Sequence, residues 1–302
     1  MQIDWQKSFS ASALHAAYAC HCVPNRVADP RLLQALGEYA DKLGAWFPPR
    51  PAVLRDAPWN ELIVLGASIA SNAELASTLA RQTNPAIEYG PSIQRLAGLI
   101  TDVEAAFKLL YPKHDEQSAL RTRPLQEQWL GYGSGLIAHL GRLTEKRFFQ
   151  GPCTIIALQP ALGGGGHTHP GHSAVSIEAL LINPLAELPE VVRLAWLLAQ
   201  NAIHRDAASR DLPDSSRLRL IPLAMLPPVM AAAEVLELSK CNEAIAELAI
   251  EHWHIAVPHS MDVASELIPS LMDWWETYLQ TRPTWELALK ALSKRLRLVE
   301  SH

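Results

Sequence analysis

Cysteine is scarce in this chain. Four residues, Cys20, Cys22, Cys153 and Cys241, are too few and too scattered for a disulfide framework, and no Cys-x-x-Cys pair occurs, so reduced thiols are expected. Charge is low as well: 26 Lys and Arg face 31 Asp and Glu, giving a net charge of −5 and a pI near 6.2. That balance supplies no basic field for a phosphate backbone, and nucleic acid is not an expected partner. The first seven residues, Met1-Gln2-Ile3-Asp4-Trp5-Gln6-Lys7, have neither a basic n-region nor an apolar h-region, so a cytoplasmic protein is expected. Long apolar runs are missing too. Residues 220–233 are interrupted by Pro222, Pro227 and Pro228 and fall short of the ~20 residues that span a bilayer, so no membrane span is expected. No GxGxxG, Walker A loop or GxSxG elbow is present, and the glycine run at 163–166 precedes no GK[ST], which leaves nucleotide binding without support.

What is present is an ordinary globular composition, 49% hydrophobic over 302 residues, with no fixed-period repeat. Asp29-Pro30 followed by Leu32, Leu33, Leu36, Tyr39, Leu43 and Phe47 predicts a capped helix ending before Pro48-Pro49. Further helices are predicted at 60–81, at 91–111, and from Pro124 towards Arg147, where Gly131, Gly133 and Gly135 should split the stretch into a hairpin. In the middle, residues 153–158 and 173–182 have the composition and the period of two of strands. An apolar helix beginning at Pro189-Glu190 follows, then helices at 223–238, 242–255, 262–281 and 285–299. The reading is one α+β domain over 1–302, mainly helical, with a small antiparallel sheet near the middle and a subdivision conceivable near 151.

The most informative segment is Gly163-Gly164-Gly165-Gly166-His167-Thr168-His169-Pro170-Gly171-His172, three imidazoles within six positions on a loop between the two strands. Histidine is the commonest metal ligand near neutrality. In an extended backbone His167 and His169 point to one side, and a turn at Pro170-Gly171 could return His172, which makes the three a ligand set for one divalent transition metal, zinc first. A metal with an open position would generate hydroxide, and Glu178 is the candidate general base. The six residues from His172 to Glu178 would span about 20 Å if straight, so His167 or His169 must fold back to approach that carboxylate. The competing reading is a solvated loop. His252-Trp253-His254, with Glu251 and His259, is expected at a helix end, while His15 and Cys20-His21-Cys22 are read as packing or exposed residues. Trp274, Trp275, Tyr278 and Trp285 are expected to fill a core or a dimer contact.

His167-Thr168-His169-Pro170 resembles the HxHP metal motif of JAMM-type isopeptidases, although Ser176 falls one position early and Ala179 stands where an Asp is required. With Gly171-His172 the same segment resembles a cupin ligand strand, but Ser173, Ala174 and Val175 occupy the place of the glutamate, and a cupin is all-β. Over roughly residues 124–200 the order of strand, loop, edge strand and apolar helix is similar to the core of gluzincin-type zinc peptidases. Their helix carries HExxH, whereas here it reads Glu190-Val191-Val192-Arg193-Leu194-Ala195-Trp196-Leu197-Leu198. Residues 177–184 and 188–200 also look like bacterial proteins with such a scaffold lacking that motif. Two functions stay open at this point. One is a metal-dependent hydrolase acting on a small molecule or peptide. The other is a non-catalytic member of the scaffold acting in binding or assembly, with the aromatic C-terminal helices as an interface and a homo-oligomer as one outcome.

Overall fold

In the computed structural model, residues 1–51, 54–83, 90–258 and 261–296 are described. The protein is α+β and mainly helical. In chain order, β1 (Gln2–Lys7) leads into α1 (Phe9–Cys22), α2 (Pro30–Gly44), α3 (Ala57–Ser68), α4 (Asn72–Thr83), α5 (Pro91–Leu110) and the long α6 (His114–Leu143). Three strands follow, β2 (Pro152–Leu158), β3 (Gly166–His169) and β4 (Ala174–Glu178). The chain then continues as α7 (Glu190–Arg205), α8 (Asp214–Ala224), α9 (Leu226–Val235), α10 (Glu243–His252), α11 (Ile268–Thr281) and α12 (Trp285–Arg295). Two compact units form. One comprises Asp4–Pro124 and Thr154–Leu181; the other comprises Met1–Ile3, Leu125–Cys153 and Ile182–His302.

In the first unit α1 is the central helix, packed by α2, α3 and α5. Its sequence explains this: Ala11, Ala13, Leu14, Ala16, Ala17 and Ala19 are buried around its circumference, as a helix apolar on all sides requires. Ser8 caps it, accepting from Ala11 N at 3.1 Å and donating to Gly66 O at 2.9 Å. The sheet has the order β1-β2-β4-β3, with β4 parallel to β2 and antiparallel to β3. It is therefore mixed rather than antiparallel, and β3 turns residues 166–169, expected in a loop, into its edge strand. Ile156 and Leu158 of β2 and Ala174 of β4 belong to the same core as α1.

The helix expected over 60–81 is two helices. Ser68 Oγ bonds back to the carbonyls of Val64 and Leu65, and Ser71 Oγ accepts from Glu74 N at 3.4 Å to open α4. Such local bonds compete with helix continuation. Conversely, the hairpin expected at Gly131 to Gly135 is one unbroken helix. A Cβ at Gly133 would lie 2.5 Å from the Trp129 indole, so this glycine makes room for a ring folded over its own helix.

In the second unit α7 packs against α8 and α9, with 14 of its 16 residues buried. Trp196 donates to Pro222 O at 2.9 Å and its ring lies 5.1 Å from that of Trp253. Trp274, Trp275, Tyr278 and Trp285 form one buried cluster, with Trp274 Nε1 bonded to Ala288 O at 3.0 Å. These aromatics are core, which removes them from the interface expected of the C-terminal helices. His252 ends α10 and His254 follows at φ 55; His259 lies outside the described residues. Among the described residues one helical run, Asp214–Val235, is long and apolar enough to cross a membrane by length and composition. Of its most apolar window, 67% is buried inside the protein, as in a core helix.

Candidate functional site

All four residues singled out in the sequence lie in the first unit, and the strand register decides which way they face. Opposite residues of a ladder share a face. His167 stands opposite Ser176 and His169 opposite Ala174, so both imidazoles share the side of β4 that carries Ser176 and Glu178. This is the side that shares a core with α1.

Glu178 is fully buried and ionised among donors supplied by its own chain. Oε1 accepts the backbone N–H groups of Ala161 and Leu162, both at 2.7 Å, and the Nε2–H of His15, also at 2.7 Å. Oε2 accepts those of Gly164 at 2.7 Å and Gly165 at 3.0 Å. The glycine run is thus an anion nest whose anion is an internal carboxylate rather than a phosphate. Gly163 and Gly164 adopt φ of 78° and 156°, which L side chains rarely reach, and a Cβ on Gly165 would stand 3.3 Å from the Glu178 carboxyl carbon. Burial alone would raise the pKa of Glu178. The bond to His15 and the N–H groups of Leu162 and Ala161 outweigh it and hold the carboxyl well below its ordinary range.

The three histidines diverge to separate partners. His169 Nε2 meets Ser176 Oγ at 3.0 Å, and its ring also bonds to the Asn60 backbone. His172, exposed, pairs with Glu61 Oε1 at 2.7 Å. His167 turns its Nε2 inwards, where its ring lies 5.5 Å from that of His15 and 5.0 Å from that of Tyr18. Burial, then the neighbouring His15 and His169, keeps His167 well below 6.5, and burial with His172 brings His169 down to about 3. Among the described residues no group of three His, Cys, Asp or Glu side chains is placed to hold one ion.

Comparison with protein-family models, with curated proteins and with solved structures finds no match. The site is therefore read from its own geometry. His167 and Glu178 are brought into one buried group, through His15. His169 stands beside it, bonded to Ser176, and His172 stands outside it. His15, read from the sequence as a packing or exposed residue, is the partner of Glu178. Its signal was faint, a histidine in the apolar middle of α1, where a buried imidazole needs a polar partner from elsewhere in the chain. Ser12, one turn earlier on α1, docks the same segment: its Oγ accepts Gln159 N at 3.1 Å and donates to Ser8 O at 2.9 Å.

Proposed function

We propose that this chain is a non-catalytic binding or assembly protein, in which the glycine- and histidine-rich segment holds the fold together. One observation carries the reading. A carboxylate has about four lone-pair sites, and those of Glu178 are occupied by four backbone N–H groups and His15. A general base needs a lone pair free for the substrate's proton and a pKa near the working pH. Glu178 has neither, because its charged form is the one the nest stabilises. The hydrolytic alternative would also need the imidazoles to converge, and they are taken up by Ser176, Glu61 and the interior beside His15.

Glu178→Gln tests this. The variant puts an amide NH2 among donors where an acceptor is required, and leaving buried groups unpaired costs on the order of 3 kcal/mol. Urea unfolding should show that loss, and purified protein should have no hydrolytic activity for the variant to abolish. Metal-dependent hydrolysis that disappears in Glu178→Gln while the unfolding midpoint stays put would overturn the proposal. Light scattering across a concentration series then separates self-assembly, where mass grows, from binding of another partner, where it does not.

A further inference from the structure

We infer that His15 and His167 form a two-imidazole metal site, its ligating nitrogens buried, which takes a soft, low-coordinate ion, with copper in its monovalent state as the first candidate. The observation behind it is a pair of buried ring nitrogens, His15 Nδ1 and His167 Nε2, that make no hydrogen bond among the described residues. Several buried side-chain atoms are left in this state, but these two belong to neighbouring rings, so one group can serve both.

The geometry fits an ion. Metal–nitrogen distances of about 2 Å, with about 1.1 Å from ring centre to nitrogen, put two imidazole centroids about 5 Å apart at the tetrahedral angle and about 6 Å apart in a line. The observed separation, 5.5 Å with the ring planes edge to face at 68°, lies between these and corresponds to a bent bridge. Both ligands stand on regular elements, α1 and β3, which fixes the spacing. His15 donates Nε2–H to Glu178 Oε1 at 2.7 Å, the carboxylate–histidine arrangement that orients a ligating ring and leaves the other nitrogen for the metal.

Ligand number selects the ion. The wall beside the pair is Tyr18, whose ring lies 6.1 Å from His15 and 5.0 Å from His167, and its hydroxyl is turned away to Asp56 Oδ2 at 3.2 Å. His169 and His172 have partners of their own. Zinc takes four ligands, whereas two ring nitrogens beside the apolar face of Tyr18 suit a monovalent copper ion, which is content with low coordination. A site with both ligating nitrogens buried is structural, so it does not depend on whether the protein is catalytic.

The test is an anaerobic titration of the full, untagged chain with Cu(I) against a chromophoric chelator, followed by X-ray absorption of the loaded protein. One equivalent bound through two nitrogen donors is expected. His167→Gln and His15→Gln should weaken it on the order of 100-fold or more, while His172→Gln should leave it unchanged. Where His15→Gln does not fold, His167→Gln and the wild-type absorption spectrum decide. No binding, sulfur ligation by the four cysteines, or affinity unchanged in His167→Gln would overturn the inference. In each case a trapped water would be left between the two rings. None of these outcomes bears on hydrolysis by Glu178, which the unfolding and activity measurements address separately.

Discussion

Glu178 keeps its charge in the interior because the donors come from neighbours already fixed by the fold, and the buried histidines follow the opposite logic. Burial disfavours the imidazolium. It brings His169 down to about 3, aided by His172, and His204 down to about 4, aided by Arg217. In the unfolded chain each titrates near ~6.5. As pH falls, the unfolded state therefore binds protons first, and stability is lost from about 6.5 down towards these folded values. Glu178, also depressed, adds to the loss once pH passes below ~4.3, where the unfolded carboxylate begins to protonate. Urea midpoints measured between pH 7.5 and 4.5 should decline steadily. His204→Gln should flatten that decline; a slope identical to wild type would mean that His204 does not titrate differently on folding. The thiols obey the same rule from the other side. Burial raises Cys20 and Cys22 to about 12 and Cys153 to about 11, so these three should react with a thiol reagent at pH 8 only after denaturant is added. Full labelling of the native protein within minutes would contradict the packing of α1 and β2.

Among the elements, glycine shows how one residue type does two jobs. Gly131 sits in α6 with open space around it, so Gly131→Ala should raise stability by ~0.5–1 kcal/mol through helix propensity. Gly163 has a φ of 78°, and the same substitution there should lower stability by about 1 kcal/mol or more, since alanine is strained in that region. Equal shifts in urea midpoint for the two variants would refute the nest. Periodicity placed most helices: Asp29-Pro30 opened α2, Pro91 opened α5, and Glu190 opened α7, because caps, prolines and apolar stripes are local signals. What it could not read was set by distant partners. The glycines of α6 looked like breakers, but the Trp129 ring fills the space that a Cβ at Gly133 would need. The histidine segment looked like a loop, and it became a strand because β4 pairs with it across Gly166 to His169. Of the site, Glu178 and His167 were legible as unusual residues. Their meeting with His15, 163 positions before Glu178, was not, since no local pattern encodes that distance.

At the scale of the molecule, neither compact unit is a continuous stretch of chain. The chain passes from one to the other at residues 3–4, 124–125, 153–154 and 181–182, and α6 runs through the second of these points. A boundary near 151 suited the composition, yet a cut there would remove β2, β3 and β4 from the helices they complete. A fragment of residues 1–153 would keep α1 to α5 but lose Ile156, Leu158, Ala161 and Ala174 from their core, and His15 would stand buried without Glu178. Losing several buried side chains at a few kcal/mol each exceeds the ~5–15 kcal/mol that holds a domain folded. The fragment should therefore retain helical circular dichroism but unfold in urea without a cooperative transition. Adding the peptide of residues 154–181 should restore one, because it returns the sheet, the nest and the carboxylate together. Cooperative unfolding of the fragment alone would show that α1 to α5 form a complete core, and that the glycine nest is an attachment to the fold rather than its clasp.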